Sequence, residues 1–211
     1  KHVEVAEYNS EQKKYAEIIQ AQDKELLKAE IEKIKQTDLL FTTENYLVFF
    51  SEKKDIPVIF AELSRCREVA FRDIGEGTGN ATDEDKYDDY YNHLFIWDEV
   101  ENALVGAYRI GIGKPILEKF GKKGFYLNTL FKFQNEFEEY LEKSMEMGRS
   151  FIVPEYQRRT LPLFLLWKGI YYVTQKYPEY KYLIGPASIS SIYSENAKIL
   201  IIEFLKRYHG W

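Results

Sequence analysis

Apolar positions along the 211-residue chain switch between helical spacing and the runs and alternations of strands. Tyr15, Ile18, Ile19, Leu26, Leu27, Ile31 and Ile34 share helical spacing, and Asn9-Ser10-Glu11 supplies a start signal, so residues 9–36 read as a helix. Within 44–50, Tyr46-Leu47-Val48-Phe49-Phe50 reads as a strand. Pro57 opens a helix with Ile59, Leu63, Cys66 and Ala70 on one face; it runs to about Phe71, before Gly75, Gly77 and Gly79. Residues 75–92 form a long loop, glycine-rich first and acidic later, and such loops are often functional. A hairpin follows, with strands His93–Trp97 and Leu104–Ile110 around a turn at 98–102. Gly111 to Gly124 reads as a lysine-bearing loop. Phe133, Phe137, Tyr140 and Leu141 mark a short helix ending near Lys143. An apolar strand at 145–153, a helix at 161–176, a strand at 182–188 and a helix at 195–208 complete the chain. The order α–β–α–β–β–α–β–α–β–α is an α/β pattern. Residues 1–36 read as a helical lead-in to a domain over 37–211.

Composition narrows the class. Apolar residues make up 45%, enough for a sizeable core, and the longest apolar runs, such as Ile199-Leu200-Ile201-Ile202, are too short to span a bilayer. The net charge of −5 argues against nucleic-acid binding. A single cysteine, Cys66, excludes an internal disulfide and a cysteine-based zinc site, and the three histidines, His2, His93 and His209, do not suggest a metal centre. A reducing cytoplasm is the expected compartment. Aromatic residues reach 16%, which serves packing or lines a groove for a long apolar ligand. The first residue is Lys1, without Met, and the last is Trp211, directly after a helix; the expectation is a piece of a longer protein.

The densest chemistry lies in Glu146-Met147-Gly148-Arg149-Ser150 and in the turn that follows, Gln157-Arg158-Arg159-Thr160-Leu161-Pro162. Glu146 begins a buried run, where a desolvated carboxylate gains a raised pKa and can take a proton from an ammonium or a water. It can equally pair with Arg149 or Arg109, and such a pair can orient a base. Arg149 and Ser150 are strand-edge polar groups or contacts to a polar substrate head. Ser150 has no Ser-His-Asp context and is not a nucleophile candidate. Arg67 suits a carboxylate and Asp88 an amine, with a solvated charged loop as the alternative. His93 opens a strand, a common place for a structural hydrogen-bonder, and Cys66 lies on a core stripe. Arg158 and Arg159, with Thr160 as N-cap and Pro162 in the first turn, offer a phosphate site at a helix N-terminus, or no more than a capped helix with two solvated arginines.

Several segments carry a family resemblance: Arg67-Glu68-Val69-Ala70-Phe71-Arg72, Asp88, His93 with Leu94–Trp97, Val105-Gly106-Ala107-Tyr108-Arg109, Glu146–Ser150, and Leu165-Leu166-Trp167-Lys168-Gly169-Ile170. In order and spacing, over roughly residues 38–208, the chain resembles the GNAT-fold N-acyltransferases of the ornithine-lipid and glycine-lipid synthase branch, often labelled hemolysin. It is more distantly similar to acyl-homoserine-lactone synthases. The resemblance implies a three-layer α/β/α fold with a mixed, strongly twisted sheet. Two of its strands, here 145–153 and 182–188, then splay to admit a pantetheine arm.

The donor implied is an acyl-phosphopantetheine thioester, on acyl carrier protein or coenzyme A, acting as co-substrate with no permanently bound cofactor. Its phosphate would sit near Arg158, Arg159, Thr160 and Leu161. The family's pyrophosphate loop contains glycine and Gln157–Pro162 does not, which favours a carrier protein; Lys114, Lys119, Lys122 and Lys123 would suit its acidic surface, or form no more than an exposed basic loop. The acceptor implied is a small amino acid, giving an N-acyl amino acid or lyso-aminolipid. Glu146 would help to deprotonate the amine and Tyr193 would protonate the leaving thiolate. Arg67, Arg109 or Arg149 would hold the acceptor carboxylate, with Phe71, Asp88, His93 and Ser150 completing the substrate contacts. Peripheral contact with the inner membrane is a further expectation. Two other readings stay open: lactone synthesis, and a non-catalytic module that binds acyl carriers or docks on a membrane.

Overall fold

The computed structural model describes residues 15–189 and 193–209. Residues 15–23 are not helical, contrary to the expectation of a helix over 9–36, whose first residues lie outside those described. Their backbone bonds to the long loop instead, Ala16 N–H to Gly79 O at 2.8 Å and Ile19 N–H to Ala81 O at 3.2 Å. Asp23 then starts α1 (Lys24–Ile34) by accepting from the N–H groups of Glu25 and Leu26. Leu27, Ile31 and Ile34 of this helix are buried in the main core.

The chain next makes a hairpin, β1 (Leu39–Thr43) and β2 (Tyr46–Glu52), with Glu44 at φ 53° in the turn. The sequence pattern predicts only the second strand, because β1 is half-buried and shows no clean alternation. α2 (Pro57–Asp73) follows, then β3 (Asn92–Asp98) and β4 (Ala103–Ile112) as the expected hairpin. The stretch read as a loop after β4 is instead a helix, α3 (Gly113–Phe120). Its glycine, proline and lysines mask the period, and it buries only Gly113 and Ile116. Gly113 is needed there: a Cβ would lie 2.0 Å from the Leu141 carbonyl oxygen. The remaining elements are α4 (Glu138–Glu142), β5 (Ser144–Ile152), α5 (Thr160–Lys176), β6 (Tyr182–Ile184) and α6 (Glu195–His209).

The six strands among the described residues form one mixed sheet in chain order, antiparallel from β1 to β5, with β6 parallel to β5. Helices cover both faces. α2 lies over the face carrying His93, whose ring centroid is 5.0 Å from that of Phe60. α5 covers the opposite face, where a Cβ on Gly169 would meet Leu94 at 2.8 Å and Val48 at 3.2 Å. The large core lies between these layers, and a smaller cluster of Tyr87, Tyr91, Ile116, Phe125 and Leu141 lies beneath α3.

Two features of β5 position the site. First, β6 pairs with it only at Ser144↔Tyr182, Met145↔Leu183 and Glu146↔Ile184. The strand expected over 182–188 therefore stops at Ile184, and 185–188 run on unpaired. Second, β4 and β5 slip register between Ala107↔Phe151 and Arg109↔Gly148, so β5 carries one extra residue, with Arg149 at φ 50°. Such a bulge bends its strand and re-aims side chains.

Candidate active site

Where β5 and β6 part, a cleft of about 650 Å³ opens. Glu146, Met147, Gly148, Arg149 and Ser150 form one wall and 185–188 the other, with Phe71, Tyr91, Tyr108, Arg109 and Tyr126 also lining it. The cleft reaches both faces of the sheet. Register puts Glu146 and Gly148 on the α2 face with Gly111 and Arg109, and puts Met147 on the α5 face with Ile110.

Glu146 is 1% exposed and its carboxylate is fully engaged. Oε1 accepts from the Leu127 N–H at 2.6 Å; Oε2 accepts from the Tyr126 N–H at 3.0 Å and from the Tyr91 hydroxyl in a short contact. Burial raises its pKa, and the Tyr91 hydroxyl and the two N–H groups offset only part of that rise. Tyr91 is pushed up in turn, by burial and then by the Glu146 charge, so it keeps its proton and acts as a donor. Gly111 makes room for this contact, since a Cβ there would lie 2.5 Å from the Tyr91 ring.

Three arginines and three aspartates lie beside the carboxylate. Asp88, wholly buried, receives Arg67 through both oxygens, at 3.2 and 2.9 Å, and Arg109 at 3.1 Å. Burial works to raise the Asp88 pKa, but Arg67 and then Arg109 hold it well below the usual carboxylate range. Asp83 is 1% exposed, and its pKa is raised because burial outweighs Arg67 and Arg149, at 3.5 and 3.4 Å. Asp85 meets Arg109 at 2.6 Å and Arg149 at 3.5 Å. The Arg109 guanidinium faces the rings of Tyr91, Tyr87 and Tyr126 at 5.3, 5.6 and 5.7 Å. Arg149 faces Tyr126 at 5.3 Å and Phe71 at 6.0 Å.

The structure therefore brings Glu146, Arg109, Arg149, Ser150 and Phe71 to the cleft wall. Arg67, Asp88 and His93 are buried behind that wall and do not line it. His93 is pushed down to about 3 by burial and is neutral at physiological pH; neither ring nitrogen makes a hydrogen bond of good geometry. Tyr193 is 53% exposed and also outside the lining. Thr160 is the first residue of α5 and not its N-cap; that position is Arg159, without a side-chain cap. Arg159 packs over the Tyr156 ring at 4.7 Å and bonds the Tyr46 hydroxyl at 3.2 Å, Arg158 is exposed, and 158–161 lie outside the cleft lining. Nothing in the sequence marks Tyr91 or Tyr126, and it favours a solvated charged loop for Asp83 and Asp85 more than for Asp88, whereas the structure sets both against the arginines.

Residues 66–167 match the family model of the acetyltransferase (GNAT) domain, a span that contains the β3–β5 sheet centre and the whole Glu146 strand. The chain has the GNAT fold. It is homologous to two glycine Nα-acyltransferases. One, from Phocaeicola vulgatus, is 33% identical over 206 residues, covering 92% of this chain and 63% of the relative. The other, from Bacteroides thetaiotaomicron, is 31% identical over 203 residues, covering 91% of this chain and 60% of the relative. The chain thus spans less than two thirds of each relative's length. No solved structure gives a significant match. No helix among the described residues is long and apolar enough to cross a membrane. Among the same residues, no group of three His, Cys, Asp or Glu could hold a metal ion.

Proposed function

We propose that this chain is the catalytic part of an N-acyltransferase that moves a fatty acyl group from a phosphopantetheine thioester to the amine of glycine. The observation that carries the reading is the placement of Glu146: a buried carboxylate of raised pKa on the wall of a cleft that it shares with two guanidiniums. Glycine is favoured as acceptor by the printed activity of the two relatives. Arg149, with Arg109 beside it, would receive the glycine carboxylate. Glu146, directly or through a water, would take a proton from the glycine ammonium. The free amine then attacks the thioester carbonyl, forming the C–N bond. A backbone N–H of β5 beyond Glu146 would steady the oxyanion, since β6 no longer pairs there. The attacking nitrogen gives up its second proton to water, collapse breaks the C–S bond, and the thiolate leaves, to be protonated by water or by a hydroxyl such as that of Tyr193.

The pantetheine arm would lie between β5 and 185–188, its phosphate toward Arg158–Leu161. Because that turn contains no glycine, an acyl carrier protein is the favoured donor over coenzyme A. The product would be an N-acyl amino acid entering aminolipid synthesis in the cytoplasm. Outward-facing Leu163, Phe164 and Trp167 on α5 favour peripheral contact with a lipid surface, which vesicle flotation of the full-length protein tests. The activity is tested by incubating that protein with acyl-carrier and acyl-coenzyme A thioesters and a panel of amino acids. Thiol release with glycine is expected, and no release with any amine would sink the proposal.

A further inference from the structure

The three aspartates beside the cleft are not equivalent. Asp88 is wholly buried and serves as counter-charge to both Arg67 and Arg109. Asp83 is 1% exposed. The Asp85 side chain is 25% exposed, and it alone joins the two arginines that line the cleft, Arg109 at 2.6 Å and Arg149 at 3.5 Å. Among the described residues, Nε of Arg109 is buried without an acceptor, and Nε of Arg149 meets Asp83 Oδ1 at 3.4 Å outside hydrogen-bond geometry. The guanidinium pair can therefore take another carboxylate, and the partner most easily replaced is the long, part-exposed contact from Asp85 to Arg149.

We propose that Asp85 is an internal stand-in for the acceptor's carboxylate, occupying the Arg109–Arg149 pair until an amino acid displaces it. Only the identity of the ligand rests on the acyl-transfer reading; the carboxylate site itself rests on the two guanidiniums. Displacement leaves neither buried arginine unpaired, because Asp88 still holds Arg67 and Arg109. Competition with a fixed carboxylate would weaken binding of every free carboxylate. It would also favour an acceptor small enough to settle close to both guanidiniums, a requirement that glycine meets.

The test is Asp85→Asn in the full-length protein. Asparagine retains the oxygen that accepts the Tyr87 N–H at 2.8 Å, so the loop keeps its turn while the charge is removed. Binding of glycine and of acetate is followed by intrinsic fluorescence without acyl donor, and KM for glycine by thiol release. The variant should bind both ligands roughly two- to fivefold more tightly, the range of a solvent-screened ion pair, with a matching fall in KM and an unchanged unfolding midpoint. Weaker binding would make Asp85 an orienting group for Arg149 or a contact to the ammonium, and would overturn the proposal, as would unchanged binding. Tighter acetate binding without glycine acylation by the wild type would reject the acyl-transfer reading alone.

Discussion

At the scale of single residues, Glu146 has two jobs that one substitution separates. It is the candidate base, and its oxygens also hold the backbone at Tyr126 and Leu127. Glu146→Gln keeps one of the two acceptor oxygens for that loop, sets an NH2 against the other N–H, and cannot take a proton. The expected loss is about 10²–10⁴-fold in kcat with carrier binding retained, measured by thiol release and donor titration. Unchanged activity would favour a non-catalytic carrier-binding module. The raised pKa also sets a pH dependence: the base must be ionised, so kcat should fall on the acid side with an apparent pKa above the usual carboxylate range. His93 gives a different pH signature. Its folded pKa is about 3, against about 6.5 unfolded, so the unfolded chain binds the extra proton between those values. Stability should therefore drop as pH falls through that window. Acid titration of the unfolding midpoint should show His93→Phe losing this slope, with KM for glycine unchanged because the ring lies outside the cleft lining.

At the scale of elements, the cleft depends on where β5 loses its neighbours and on what the adjoining strand leaves open. Gly111 on β4 lies opposite Glu146, and the Tyr91 ring occupies the space where its Cβ would stand. Gly111→Ala should displace Tyr91 from the carboxylate, lowering kcat and costing about 1–3 kcal/mol from overpacking, read by kinetics and thermal unfolding. Tyr91→Phe, which removes only the hydroxyl, should lower kcat while leaving the fold intact. The N-terminus of α5 divides similarly. Arg159 is tied to Tyr46 and Tyr156, so Arg159→Ala should lower stability. Arg158 is exposed, and if the donor phosphate lies there, Arg158→Ala should raise donor KM with kcat little changed.

At the scale of the whole molecule, net charge and topology act together. The chain carries −5 overall, yet lysines concentrate on and after α3, among them Lys114, Lys119 and Lys123. If an acidic carrier is the donor, raising the ionic strength should raise KM for the carrier thioester more than for the coenzyme A thioester, in steady-state assays at low and high salt. The sequence alone was enough to mark Glu146, Arg149 and Ser150 as candidates and to order most of the sheet. These signals are local: an acid and an arginine on an apolar strand, and hydrophobic periods that report which face is buried. It was not enough for β1 or α3, where partial burial, glycine and proline blur the period. Nor could it separate the arginines that line the cleft from the one sealed behind it, or show that Tyr91 lines the cleft and Asp85 pairs with both of its arginines. Those roles depend on contacts between residues far apart in the chain, such as Tyr91 with Glu146 and Asp85 with Arg149. Such contacts exist only after β3, β4 and β5 have paired and the acidic loop has closed over Arg67. Local sequence determines which side chains are buried, whereas register and strand separation decide which of the buried charges face the cleft.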